Sequence, residues 1–258
     1  MPVRSARAAE MAVRIDRVVT RSGDDGQTFV PGGGRVPKTA ARIRALGVLD
    51  ELNAAVGYVL AQHDLSPDVA GTLRLVQQWL FEAGAAVATA AARRVEAAGD
   101  ANESRAGGHA SAGGRQPAGG QTPAVAQSVT DWPGGHEGDA GAAPAGVRPE
   151  ATEPDVWAER TRKLEEVAAD ALQRLPPLDG FVVPGGRPEA AGLHWVRAVA
   201  RRAEVALWEA AEEAVLPSGM LRWVNRLSDV LFVYARLCND GGRMDVLWRP
   251  GPIAEGDT

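Results

Sequence analysis

The chain has 258 residues, 45% of them hydrophobic and 24% charged, with a formal net charge of −5. This is the balance of a globular protein handled in water, and its acidity excludes a general nucleic-acid binder, which carries a basic footprint. A single cysteine, Cys238, excludes an intrachain disulfide framework and fits a reducing compartment.

Residues 1–16 carry arginines with no apolar stretch behind them, so they read as an N-terminal extension rather than a secretory signal; Met11 lies just before the first organised segment. The most apolar run, Trp79 to Ala92, is short and broken by Glu82. A bilayer span needs about 20 apolar residues. The expectation is a cytoplasmic protein with no membrane partner.

Residues 17–92 form the first structured part. Its opening, residues 17–40, is rich in Gly, Asp and Arg without helical periodicity and reads as an ordered loop. From Arg42 to Gln62, Ile43, Leu46, Leu49, Leu52, Val56 and Val59 recur at helical spacing. A second helix is expected from Ser66-Pro67, with Ser as N-cap and Pro at the first position, to Thr89. Residues 93–152 are dominated by Gly, Ala, Pro, Ser and Gln with almost no large apolar side chains. Such a stretch cannot offset its ordering entropy and is expected to be disordered, either as a tolerated insertion or as a partner-binding tail.

Residues 153–240 form the second structured part. Helices are expected over Asp155–Leu175, Pro188–Ala214 and Pro217–Asn239, with a short link at Phe181–Gly186; residues 241–258 read as a tail. No strand pattern stands out. Five helices of bundle length predict an all-α antiparallel five-helix bundle.

Three segments carry candidate chemistry. Residues 20–38 read TRSGDDGQTFVPGGGRVPK. Gly23, Gly26 and Gly32 to Gly34 let backbone amides approach an anion, Thr20, Ser22 and Thr28 add hydroxyls, and Arg21, Arg35 and Lys38 add charge. No Walker A pattern is present, and a flexible surface turn is the plainer reading. On the fourth helix Arg197, Arg201 and Glu204 fall within about 60° on one face, Trp208 continues the stripe, and Arg202 points about 100° away from Arg201. Two guanidinium groups in line with a carboxylate suit a polyanion, the carboxylate orienting an arginine or holding a metal; a solvated charged face is the alternative. On the last helix Asn225, Asp229, Phe232 and Arg236 share a stripe that needs partners or a ligand, or else forms a buried structural network.

TRSGDDG, GGGRVPK and GVLDELNAAVG, followed in order by FVVPGG, HWVRAVARRAE and NRLSDVLFVYAR, resemble the signature blocks of the PduO-type ATP:cob(I)alamin adenosyltransferases, over residues 17–90 and 155–240. The resemblance implies a ferritin-like five-helix bundle that assembles as a homotrimer with active sites between subunits. The activity implied is transfer of the 5′-deoxyadenosyl group of ATP to Co(I) of a corrinoid, giving adenosylcobalamin and triphosphate. The implied ATP contacts are Thr20, Arg21, Ser22, Gly23, Gly26, Thr28, Lys38, Arg201, Glu204 and Asn225. Mg²⁺ would ride on the ATP phosphates, with Glu204 the one candidate side-chain ligand. Asp50 is similar to a family aspartate that pairs across the interface with the arginine at Arg197, and Phe181 and Phe232 match aromatic positions on the corrinoid side. A corrinoid reductase and an adenosylcobalamin-dependent mutase are the implied partner enzymes. Arg44, Val48 and the stretch Phe29-Val30-Pro31 depart from the pattern. Arg44 and Val48 motivate the alternative of a catalytically weak corrinoid or nucleotide carrier or sensor on the same bundle.

Overall fold

The computed structural model describes residues 19–31, 34–91 and 155–249; the expectations for residues 1–16 and 93–152 lie outside them. Five helices account for most of the described residues: α1 Ala41–Gln62, α2 Pro67–Thr89, α3 Val156–Gln173, α4 Pro188–Glu213 and α5 Met220–Cys238. Each follows its apolar period. Pro67 and Pro188 open α2 and α4, where a missing amide hydrogen costs nothing. Asp155 caps α3 by accepting from the amides of Trp157 and Ala158. Ser66 occupies the cap position of α2 but makes no capping bond; its hydroxyl donates to the Asp68 carboxylate instead.

Successive helices alternate in direction. α1 packs on α2 and α4, and α5 lies between α4 and α3. α3 and α5 are neighbours two steps apart in the chain and therefore run parallel, with Trp157 beside Trp223 and Glu165 beside Arg226. Side chains close the ring between α2 and the α3–α5 pair. Tyr234 donates to Thr72 at 2.9 Å, Arg174 meets Asp68 at 2.8 Å, and buried Arg160 lies between the rings of Trp79 and Trp157 while donating to Glu82. The core is filled by Leu49, Leu52, Leu73, Leu80, Leu164, Leu193, Leu207, Trp223, Leu227 and Leu231. Ala200, Ala203 and Ala210 are fully buried on α4, and such small side chains let neighbouring helix backbones approach closely.

Two small ribbons depart from the helical expectation. β1 (Gln27–Val30) pairs antiparallel with β2 (Gly34–Pro37), so part of the segment read as a loop is a hairpin. β3 (Val182–Val183) pairs with β4 (Val246–Leu247), joining the α3–α4 link to the C-terminal segment. Strands of four and two residues are too short for an alternation pattern to register.

The α4–α5 linker holds both edges of the gap between α2 and α3. Val215 donates its amide to the carbonyl of Ala91 at 2.9 Å. Four residues on, Gly219 turns at φ +78°, where a β-carbon would sit 3.1 Å from the Asp155 carboxylate and 3.2 Å from Trp157.

Candidate functional site

The N-terminal loop gathers most of its predicted donors. Arg21 and Gly26 both sit at positive φ, +59° and +79°, which bends the chain back on itself. Gly26 donates to the Gly23 carbonyl, and Lys38 donates its amide to Gly26 at 2.9 Å. The Lys38 side chain lies across Gly23, where an added β-carbon would stand 3.0 Å from Nζ; glycine makes room for the ammonium group. The hydroxyls of Thr20 and Ser22 are 2.9 Å apart, and Thr28 is half-buried on β1. Arg35 braces this turn. It donates to the Ser22 carbonyl at 3.0 Å and to both Asp25 carboxylate oxygens at 2.6 and 2.7 Å, and lies over the Phe29 ring. The Arg35 guanidinium holds the Asp25 carboxyl below its ordinary range, so of the two carboxylates in the turn, Asp24 and Asp25, the second is charge-balanced by Arg35.

The α4–α5 stripe forms a second cluster. Arg197 is half-buried with its guanidinium 5.4 Å above the Phe232 ring, and burial followed by the charge of Arg201 lowers its pKa, against Asp229. Arg201 is exposed one turn further, and neither arginine has a carboxylate partner among the described residues. Asn225 donates to Glu204 Oε1 at 2.8 Å. Arg202 turns away to pair with Glu51 of α1, as the helical wheel requires. On α5 Asn225 and Asp229 are exposed, but Arg236 is buried in an ion pair. The stripe therefore divides into an open half and a structural half.

His194, one turn before Arg197, escaped the sequence reading. It is 4% exposed, its ring is 6.1 Å from Phe232, and neither ring nitrogen has a hydrogen-bond partner among the described residues. Its place three residues before Arg197 in HWVR was the available signal. Burial first and Arg197 second push its pKa below the ordinary 6.5, with Asp245 pulling the other way. Between that lowered value and 6.5 the unfolded chain binds more protons than the folded one, so stability falls as pH drops through this window. His194→Leu should flatten that limb of a urea-midpoint-versus-pH curve. The acid limb from carboxylates such as Asp68, held down to about 2 by Ser66 and Arg174, should remain. An unaltered slope just below pH 6.5 would place the titration on another group.

Phe181 precedes β3 and is 57% exposed. Trp248 meets it edge-on at 6.3 Å and donates its amide to the Phe181 carbonyl at 2.7 Å. Trp248 was also missed, because it lies in the segment read as a tail. Asp50 is exposed on α1 and has no ion pair with Arg197 within the chain. No hydrogen bond or ion pair joins the N-terminal loop to the α4–α5 stripe among the described residues. Two cavities of about 280 and 240 Å³ lie along α3, beside Trp79 and Tyr234 respectively, away from both clusters. Among the described residues no three metal-ligating side chains converge.

The departures at Arg44 and Val48 have structural explanations. Arg44 bonds Glu209 at 3.2 Å and the Thr39 carbonyl, tying α1 to α4. Val48 packs half-buried against the core. Cys238 is part-buried, and burial pushes its thiol up to about 11, which keeps it protonated at neutral pH.

The family model for cobalamin adenosyltransferase matches residues 18–108 and 138–238. The chain belongs to the cobalamin adenosyltransferase family. Within it, the corrinoid adenosyltransferase of Mycobacterium tuberculosis (strain ATCC 25618 / H37Rv) is 35% identical over 246 residues, covering 93% of this chain and 97% of the relative. The cobalamin adenosyltransferase of Cupriavidus metallidurans is 31% identical over 240 residues, with coverage of 93% and 97%. A variant PduO-type ATP:corrinoid adenosyltransferase from Lactobacillus reuteri, solved complexed with cobalamin and ATP, superposes with a TM-score of 0.62 at 26% identity, over 90% of this chain and 99% of that one.

Proposed function

We propose that this chain transfers the 5′-deoxyadenosyl group of ATP to Co(I) of a corrinoid, at sites between neighbouring subunits of a homotrimer. The observation that carries the reading is the pair of incomplete cationic clusters. Lys38 lies over a glycine-turned anion loop, and Arg197 and Arg201 on α4 make no ion pair among the described residues. Each cluster presents half of a polyanion site, and a neighbouring copy supplies the other half.

In the reaction, the cobalt–carbon bond forms with the electron pair of Co(I) while the C5′–O5′ bond breaks and triphosphate leaves with that bond's pair. The metal of the corrinoid is the nucleophile, so the chain supplies none. Thr20, Ser22 and the amides around Gly23 and Gly26 hold phosphate oxygens. Lys38 and Arg201 offset the charge that develops on the leaving triphosphate. Glu204, fixed by Asn225, orients the nucleotide. A Mg²⁺ ion would rest mainly on phosphate oxygens, with Glu204 the candidate side-chain ligand, and it would screen the triphosphate charge. Phe181 lies under the corrin and keeps an axial base or water from the cobalt, with Phe232 on the same side.

Incubation with ATP and chemically reduced cobalamin tests the reading. Adenosylcobalamin and triphosphate should appear in equal amounts, and sedimentation should give three copies per particle. Binding of both substrates without product would favour the carrier; a monomer with full turnover would refute the inter-subunit site.

A further inference from the structure

The mechanism leaves unused a buried charged cluster at the end of the bundle next to Phe181. Arg236, in the last turn of α5, donates from Nε to Asp245 at 2.7 Å; the two side chains are 5% and 4% exposed. The same guanidinium donates to the Pro176 carbonyl at 3.2 Å. Asn239 donates to the other Asp245 oxygen at 3.0 Å and accepts the Arg187 amide at 3.0 Å. Two glycines fit around it. At Gly186, φ +90°, a β-carbon would lie 2.1 Å from the Asn239 side-chain oxygen, and at Gly242, φ +80°, it would lie 3.1 Å from Arg236.

These bonds reach both feet of the link that carries Phe181. Pro176 stands where the chain leaves α3, and Arg187 where it enters α4. Asp245 directly precedes β4, whose pairing with β3 and whose neighbour Trp248 grip the link in the middle. The Phe181 backbone is thus tied at three points while its ring stays open to solvent. Burying an ion pair stabilises a fold weakly compared with an apolar replacement, but it fixes one geometry, because each charge tolerates few alternatives.

We propose that Arg236, Asp245 and Asn239 are positioning residues that set the height and tilt of Phe181 beneath the corrin. This rests on the reading of Phe181 given above. With Asp245→Asn, the carboxylate that joins α5 to the root of β4 loses its charge while its shape is kept. The link then samples several positions, and an axial ligand regains access to the cobalt.

The test uses the full chain with Co(II)cobalamin and ATP, reading four- against five-coordinate cobalt by visible absorption, alongside ATP affinity and thermal midpoint. Asp245→Asn should lower the four-coordinate fraction several-fold with ATP affinity within about twofold of the parent. Asn239→Ala, which keeps the ion pair and so folds more readily, should do the same to a smaller degree. In the Phe181→Ala background, Asp245→Asn should change the coordination no further, since the clamp acts through that ring. A lowered midpoint with unchanged coordination in both variants, or additive losses in the double variant, would overturn the proposal. A parent enzyme that leaves its bound Co(II) five-coordinate would instead sink the role of Phe181 itself, and the clamp with it.

Discussion

Arg201→Ala should cut kcat/KM for ATP by roughly 100-fold, because one preorganised cationic contact to a developing anionic charge is worth about that much. Arg201 is exposed, sits one turn from Arg197, and has no carboxylate partner among the described residues. Its charge is therefore free for a ligand rather than spent on the fold. Glu204 and Asn225, a turn further on, are already bonded to each other and cannot replace it. Arg201→Lys should recover part of the loss, since it restores charge but not the two-pronged donor geometry. Phe181→Ala should behave in the opposite way, leaving ATP affinity nearly unchanged while the cobalt stays five-coordinate and transfer slows. Steady-state kinetics with ATP varied at saturating reduced corrinoid would show the first pattern. An unchanged kcat/KM in Arg201→Ala would remove that residue from the triphosphate site. A Phe181→Ala protein with normal coordination and a lower thermal midpoint would make Phe181 a packing residue.

Asp50→Asn should likewise lose most activity and weaken the assembly. Within one chain Asp50 points outward from α1, and Arg197 stays half-buried over Phe232 with no ion pair among the described residues, Asp229 acting on it only at a distance. Joined across an interface, each supplies what the other lacks. Removing one partner of such a pair leaves a desolvated charge alone, at a cost of about 3–5 kcal/mol where the pair is well buried. Arg197→Ala in the Asp50→Asn background should therefore add little. A double-mutant cycle on activity, with sedimentation to follow the trimer, measures the coupling. Fully additive losses would show that the two side chains do not meet.

The helices were legible because their apolar residues repeat at the helical period and because Pro67, Asp155 and Pro188 mark their starts. Each bound lies within a few residues of its expected place. The ribbons were not. β1 and β2 are separated by Pro31 and glycines that read as pure turn, and β3 with β4 depends on contact between residues more than sixty positions apart. For the same reason Trp248 escaped notice. Arg236 appeared in the sequence as one member of a polar stripe that needed a ligand or a buried network; only the path of the chain past Gly242 reveals that its partner is Asp245. His194 fell on the buried side of its helix, where the pattern predicts packing. The proposed meeting of Asp50 with Arg197, and of the anion loop with α4, would take a second copy of the chain, which one sequence does not display.

The α4–α5 linker fixes the exit of α2 at Val215 and the entry of α3 at Gly219, so the bundle itself dictates where the intervening residues 92–154 begin and end. Closing a loop between fixed ends costs free energy that grows only with the logarithm of its length. For any flexible connector placed between those ends, each doubling of length costs only about 0.6 kcal/mol. A passenger domain whose own termini lie close together is therefore expected to be accepted between Ala91 and Asp155 without asking α1, α4 or α5 to move, and an unchanged thermal midpoint of the bundle would be the sign of it.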